Sequence, residues 1–223
     1  MKHLIAPSIL SADFGNLSRD IQMLNQSEAD WIHCDVMDGR FVPNISFGFP
    51  IISAVKKIAT KPLDVHLMIL EPEKYIAEFA KAGANILTVH IEVSPNLHRT
   101  IFAIKQAGMK AGVAINPHSP ISLLKDIIHD IDVVCLMSVN PGYGGQKFID
   151  HSLVKIRELK DMINTTNSPT LIEVDGGVDL VNASTLLKKG ADVLVAGNTV
   201  FSAINPSEVI SQLKNIAFDN NKS

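Results

Sequence analysis

The sequence predicts a single domain, a (β/α)8 barrel of parallel strands over residues 1–223. Three observations predict it. Short apolar runs alternate with longer amphipathic stretches eight times along the chain, and strands that alternate with helices pair in parallel. No Gly/Ser-rich linker and no shift of composition divides the chain. Its 223 residues fit the roughly 200–250 over which α/β barrels run as one domain. The competing architecture is an open doubly wound sheet, which favours a G-x-G-x-x-G turn after its first strand. This chain reads SILSADFGN there, and G-x-x-x-x-G-K-[ST] occurs nowhere in it.

HLIAPSIL (3–10) is the first predicted strand and 15–27 the first helix. DWIHCDVM (30–37) precedes a helix at 48–59, and PLDVHLMI (62–69) one at 72–82. NILTVHIE (85–92) leads to 96–107, and KAGVAINP (110–117) to 119–129. DVVCLMSV (132–139) leads to 149–164, TLIEVD (170–175) to 179–189 and DVLVAG (192–197) to 206–217. Gly83, Gly108 and Gly190 stand just past predicted helix ends, where a left-handed cap suits glycine.

Hydrophobic residues make up 46% and charged residues 19% of the chain, and the net charge is −3 with no Lys/Arg run. That argues against nucleic acid or an anionic membrane as partner. A small anionic substrate stays open, since backbone donors bind anions whatever the net charge. No apolar run approaches the ~18 residues of a membrane span. The opening MKHLIAPSIL, interrupted by Pro7, reads as a strand rather than a signal peptide. Cys34 and Cys135 lie in apolar runs without a CxxC pair, so both are expected buried and reduced, in the cytoplasm.

Function in such a barrel gathers at the C-terminal ends of the strands. Side chains on a strand alternate between faces, so His33, Asp35 and Met37 share one face of strand 2 in WIHCDVMDG. His66 and Met68 share a face of strand 3, with Asp64 one step lower. Ser8 ends strand 1, Met137 lies near the end of strand 6, and Asp175 stands at the tip of strand 7. A His-x-Asp pair alone is usually a hydrogen-bonded couple in a packed interior. His33, Asp35, His66 and Asp175 together predict a divalent metal or acid–base site, because imidazole and carboxylate suit zinc, iron or manganese. Met37, Met68 and Met137 are read first as core packing, and second as a polarizable layer beside a reacting centre.

Three glycine-bearing loops follow strands 6, 7 and 8: NPGYGGQKF (140–148), DGGV (175–178) and AGNTVF (196–201). One such loop is usually a tight turn. Three at adjacent strand ends predict a phosphate cradle from the backbone N–H groups of Gly176, Gly177, Gly197 and Asn198, with a short helix at 198–203. His3, His118, His129 and His151 are expected to be solvated, and His98 opens a helix. His90 and Glu92 are candidate supporting partners without an assigned role.

IAPSILSADF, HCDVMDGRFVPN, DVHLMI, VNPGYGGQKF, EVDGGV and VAGNTVF occur in this order over nearly the whole chain, and they resemble the ribulose-phosphate 3-epimerase family. The resemblance implies a TIM barrel that interconverts D-ribulose 5-phosphate and D-xylulose 5-phosphate in the pentose phosphate pathway. It implies one divalent cation per subunit (zinc, iron, manganese or cobalt) on His33, Asp35, His66 and Asp175, with Asp35 and Asp175 as the acid–base pair. It implies substrate contacts from Ser8, His66, Asp175, Gly142, Tyr143, Gly144, Gly145, Gly176, Gly177, Gly197 and Asn198. It turns Met37, Met68 and Met137 into a sulfur layer and makes a homo-oligomer the expected assembly. Asn198 departs from the frequent VAGS: a backbone donor survives, but a serine hydroxyl contact does not. Tyr143 stands where Phe is frequent, a change expected to matter little.

Two carboxylates answer to the chemistry, since epimerisation removes a proton on one face of a carbon and returns one on the other. Phe41, Val42 and Pro43 are expected to help cover the site. An epimerase of another ketose phosphate, such as D-allulose 6-phosphate, would use the same groups. A phosphosugar decarboxylase would carry a D-x-K-x-x-D pattern at strand 3, where this chain has DVHLMI. A non-catalytic phosphosugar sensor would keep the glycine loops but has no need of both aspartates and the histidines.

Overall fold

Every apolar run becomes a strand in the computed structural model, which describes residues 2–217. The outermost residues of the predicted domain, Met1 and 218–223, lie outside the described residues. The strands are β1 (Leu4–Ala6), β2 (Ile32–Met37), β3 (Leu63–Met68), β4 (Ile86–His90), β5 (Lys110–Ile115), β6 (Val133–Met137), β7 (Leu171–Asp175) and β8 (Val193–Val195). All pair in parallel in the order β1-β8-β7-β6-β5-β4-β3-β2. β1 and β2 meet through a single bridge between Ser8 and His33, with His33 N–H on Pro7 O at 3.0 Å. Proline has no N–H to continue a ladder, so the barrel is nearly, not fully, closed by strand pairing.

The helices are α1 (Leu17–Gln26), α2 (Phe49–Ile58), α3 (Ile76–Ala82), α4 (Leu97–Gln106), α5 (Ser152–Thr166), α6 (Ala183–Lys189), α7 (Asn198–Phe201) and α8 (Pro206–Lys214). Gly83 and Gly190 cap α3 and α6 with φ of 106° and 114°, and Gly108 has φ 84°. The predicted helix at 119–129 is a correction: the segment forms two 3-10 turns, Ile121–Leu124 and Ile128–Asp130. Ile121, Leu124, Ile128 and Ile131 are all buried at a helix-like spacing. Bonds from i+3 to i, such as Lys125 N to Ser122 O and Ile127 N to Leu124 O, keep those side chains inward while stretching the chain further per residue than an α-helix does.

Period-two alternation sorts the strands into two environments. Ile32, Cys34 and Val36, with Leu63, Val65 and Leu67, join Ile21, Leu24, Ile52, Val55 and Phe79 in the layer between sheet and helices. Leu24 is fully buried, and truncation of such a side chain to Ala costs about 2–5 kcal/mol. Inside the barrel, Ala6, Trp31, Ile86, Val133, Val193 and Val195 form a separate apolar plug. The polar residues of β2, β3 and β7 also point into the interior, because β2 and β7 are not neighbours in the sheet yet touch across it through His33 and Asp175. Both cysteines are buried and free. His3 corrects the expectation of solvation: it is buried, with Nε2 2.8 Å from Leu213 O. His118, His129 and His151 are exposed.

Candidate metal and active site

Parallel register sets the heights of the site residues. His33 pairs with Asp64, Asp35 with His66 and Met37 with Met68 across β2 and β3. β7 brings Asp175 to face them. His33 Nε2 lies 3.3 Å from Asp35 Oδ1 and 3.8 Å from Asp175 Oδ2. His66 Nδ1 lies 3.3 Å from Asp35 Oδ1 and 3.5 Å from Asp175 Oδ2. One donor atom from each of the four residues falls within 4.8 Å of all the others. Donors ~2.0–2.2 Å from a shared tetrahedral ion lie ~3.3–3.6 Å apart, so the donor set fits one divalent cation.

The electrostatics favour positive charge at this point. Burial opposes a charged His33, but Asp35 and Asp64 prevail and hold its pKa well above the usual imidazole range. Burial likewise opposes a charge on His66, and its contacts with Asp175 and Asp35 raise it. Asp35 resists burial because His33 and His66 hold its carboxyl well below the usual range. Its second oxygen, Oδ2, accepts a 2.5 Å hydrogen bond from Ser8 Oγ.

A second tier of side chains lies beneath. His33 Nδ1–H donates to Asp64 Oδ2 at 2.6 Å, the carboxylate–histidine pairing that orients metal ligands. Glu173 lies 3.9 Å from the same nitrogen, fully buried. Burial, then the neighbouring Asp64, push its pKa well up. Sequence alone does not single out Glu173, although its position two residues before Asp175 puts both on one face of β7. On the other side, His66 Nε2 is 2.9 Å from His90 Nε2, and His90 Nδ1 is 3.1 Å from Glu92 Oε2. Burial lowers the His90 pKa to about 4 despite Glu92. Burial would raise Glu92, but its bonds to His90, Ser119 and the Asn116 N–H bring it to about 2.

Above the four residues opens a cavity of about 200 Å³. Ser8, Asp35, Asp175, Met37, Met68 and Met137 line it at the barrel end, and Gly142, Tyr143, Gly144, Gly145, Gly176, Gly177, Gly197 and Asn198 line it toward the mouth. His33 and His66 are fully buried behind the carboxylates and do not line it. Gly176 and Gly177 have φ of 116° and 64°, and a Cβ on Gly177 would stand 2.7 Å from Phe148 N. Only glycine fits both the backbone and the space there. Among the described residues, no protein group accepts from the N–H groups of Gly176, Gly177, Gly197 and Asn198. The Asn198 side chain accepts from Ser202 Oγ at 2.8 Å.

The loop after β2 folds over the same mouth. Asp38, which the sequence left unassigned, accepts from the N–H groups of Arg40, Phe41 and Leu70, tying that loop to the one after β3. Val42 packs with Met37 and Met68, with Phe41 and Leu10 against them. The Phe41 ring lies 4.7 Å from the His90 ring.

The model of the "Ribulose-phosphate 3 epimerase family" matches residues 4–201. A ribulose-phosphate 3-epimerase of Bacillus subtilis is 51% identical over 94% of this chain and 97% of its own length. That of Synechocystis sp. is 50% identical over 95% of this chain and 93% of its own. The chloroplastic ribulose-5-phosphate-3-epimerase of Arabidopsis thaliana is 46% identical over 95% and 76%. Among solved structures, the tryptophan synthase α-subunit of Pyrococcus furiosus superposes with a TM-score of 0.72 at 17% identity, over 96% of this chain and 98% of that one. At that identity it shares the barrel fold.

Proposed function

The chain belongs to the ribulose-phosphate 3 epimerase family and is an epimerase acting on a carbohydrate, and from that premise we propose its chemistry. It interconverts D-ribulose 5-phosphate and D-xylulose 5-phosphate, with Asp35 and Asp175 exchanging the C3 proton and one divalent cation per subunit on His33, Asp35, His66 and Asp175. The observation that carries this reading is the convergence of the two aspartates. They come from β2 and β7, touch the same two imidazole nitrogens and both line the cavity.

A C3 proton lies next to the C2 ketone, and its removal gives an ene-diolate. Asp35 removes it from one face while Asp175 delivers a proton to the other, and the roles exchange in the reverse direction. When bound, the cation supplies Lewis-acid stabilisation of the developing negative charge. Ser8 orients the Asp35 carboxylate through its 2.5 Å hydrogen bond, leaving the other oxygen toward the histidines. His66 acts from behind the carboxylates. Met37, Met68 and Met137 keep the reacting carbons in a polarizable, water-poor wall. The free N–H groups of Gly176, Gly177, Gly197 and Asn198 take the phosphate, with Gly142, Tyr143, Gly144 and Gly145 closing over the sugar. Remote binding energy of that kind orients the reacting centre.

The same reading assigns the enzyme to the pentose phosphate pathway, to the cytoplasm and to a homo-oligomer. No helix among the described residues is long and apolar enough to cross a membrane.

Proton NMR of D-ribulose 5-phosphate in heavy water tests the chemistry. The expected result is D-xylulose 5-phosphate deuterated at C3, lost on chelation and restored by adding metal. Turnover of D-allulose 6-phosphate instead would move the substrate assignment. An unchanged spectrum with metal present overturns the reading.

A further inference from the structure

We propose that Glu92 and His90 are positioning residues that set the tautomer of His66, so that its Nδ1 presents a lone pair to the cation. This rests on the metal reading of the site. Glu92 Oε1 accepts from the Asn116 N–H at 2.8 Å and from Ser119 Oγ at 2.5 Å. Its Oε2 stands 3.1 Å from His90 Nδ1. A carboxylate only accepts, so His90 Nδ1 carries the proton and the neutral ring has its lone pair at Nε2. That lone pair faces His66 Nε2 at 2.9 Å, which therefore donates. The remaining His66 nitrogen, Nδ1, is left to face Asp35 Oδ1 at 3.3 Å and Asp175 Oδ2 at 3.5 Å. A lone pair between two carboxylate oxygens is repelled unless a cation sits among them.

The start of this chain is fixed by the fold. Lys155 on α5, almost fully buried, donates to the carbonyls of Asn116 and Pro117 at 2.7 and 3.1 Å. It thereby holds the segment whose N–H grips Glu92. Phe41 packs on the His90 ring at 4.7 Å. The direction of every proton from Glu92 to the cation thus follows from its carboxylate, which accepts and cannot donate.

That irreversibility gives the test. In Glu92→Gln, the amide keeps its oxygen on the Asn116 N–H and turns its NH2 toward His90 Nδ1. His90 must then carry its proton at Nε2, and His66 must carry its own at Nδ1, toward the cation. Long-range proton–nitrogen spectra of the imidazoles, recorded on metal-free and zinc-loaded protein, read both tautomers. Wild type is expected to show His90 protonated at Nδ1, and E92Q at Nε2. Zinc affinity, from chelator competition, is expected to fall about 10–100-fold in E92Q, the usual effect of losing an outer-shell partner. His90→Phe keeps a ring against Phe41 but offers His66 no acceptor. It is expected to weaken zinc about 10-fold with an unchanged circular dichroism spectrum, and it serves if E92Q does not fold. Wild-type His90 protonated at Nε2 overturns the proposal. So does E92Q with an inverted His90 and undiminished zinc affinity. A wild-type protein that takes up no zinc overturns the metal reading and this proposal with it. That failure is visible separately, because the His90 proton is read without metal.

Discussion

His33 Nδ1 donates to Asp64 Oδ2 at 2.6 Å, and so its Nε2 is the nitrogen turned toward Asp35 and Asp175. Both partners are fully buried, so water does not substitute for the bond. Asp64→Asn keeps an acceptor oxygen but loses the charge that makes the ring a stronger ligand. It is expected to weaken metal binding about 10-fold, and Asp64→Leu, with no acceptor, toward about 100-fold. Chelator competition on the two variants checks this. Equal affinity in both and in wild type would show that β2–β3 packing alone aims the ring.

Two bases on opposite faces give a sharper signature than lost turnover. Inversion at C3 needs both Asp35 and Asp175, but exchange of the C3 proton with solvent needs only the one that faces it. Asp175→Asn and Asp35→Asn are each expected to slow epimerisation by at least roughly 10²–10⁴-fold. Each is expected to retain slow deuterium incorporation into one sugar without forming its epimer. Metal content is measured alongside, since both residues are also ligands in this reading. Near-normal epimerisation by either variant would sink the two-base scheme.

These residues show how far alternation along the sequence reaches. His33, Asp35 and Met37 are on one face because a strand has a period of two, and the same rule places His66 with Met68. The eight βα units are legible because each pairs with its sequence neighbour, a local relation. Depth across strands is not local. Asp64 meets His33 and Glu173 approaches both only through the register of β2 on β3 and the curvature that brings β7 opposite. The pattern also runs the fourth strand through Glu92, whereas β4 stops at His90 and Glu92 lies in the 3-10 turn Ile91–Val93. Its bond to His90 is therefore a property of that turn. At 119–129 the sequence predicts a helix, whereas the backbone forms 3-10 turns that bury Ile121, Leu124 and Ile128.

Tyr143 does more than the sequence suggested. Its Oη donates to Pro43 O at 2.6 Å, and Asn44 Nδ2 donates to Gly142 O at 2.9 Å, so the loops after β2 and β6 are tied across the cavity mouth. Phenylalanine at this position removes the first tie. A hydrogen bond of this kind contributes about 1 kcal/mol, or ~5-fold in the opening equilibrium of the loop. Tyr143→Phe is expected to speed amide hydrogen exchange at Gly142, Gly144 and Gly145 by about that factor and to raise KM for the phosphosugar a few-fold. Tyr143 is 53% exposed, so the thermal unfolding midpoint should barely move. Unchanged exchange in these glycines would mean that the Asn44 tie holds the loops by itself.

Glu173 yields the last prediction, and its sign follows from protonation. The side chain is enclosed in the barrel, where burial first and Asp64 second raise its pKa well above 4.5. Above pH 4.5 the unfolded chain loses this proton while the folded chain keeps it. The folded state then binds more protons, so this group makes stability fall as pH rises, until the folded pKa is passed. Glu173→Gln has the shape of the protonated acid and no proton to lose. In metal-free protein, E173Q is expected to be more stable than wild type at neutral pH, with a gain that shrinks toward zero as pH falls to about 4.5. Glu173→Ala removes the same titration but leaves a cavity beside His33 and should be the less stable variant at every pH. Urea unfolding of the three proteins from pH 4.5 to 8 separates the cases. A gain in E173Q that grows toward acid would show that Glu173 is ionised in the fold, paired with the His33 ring rather than with Asp64.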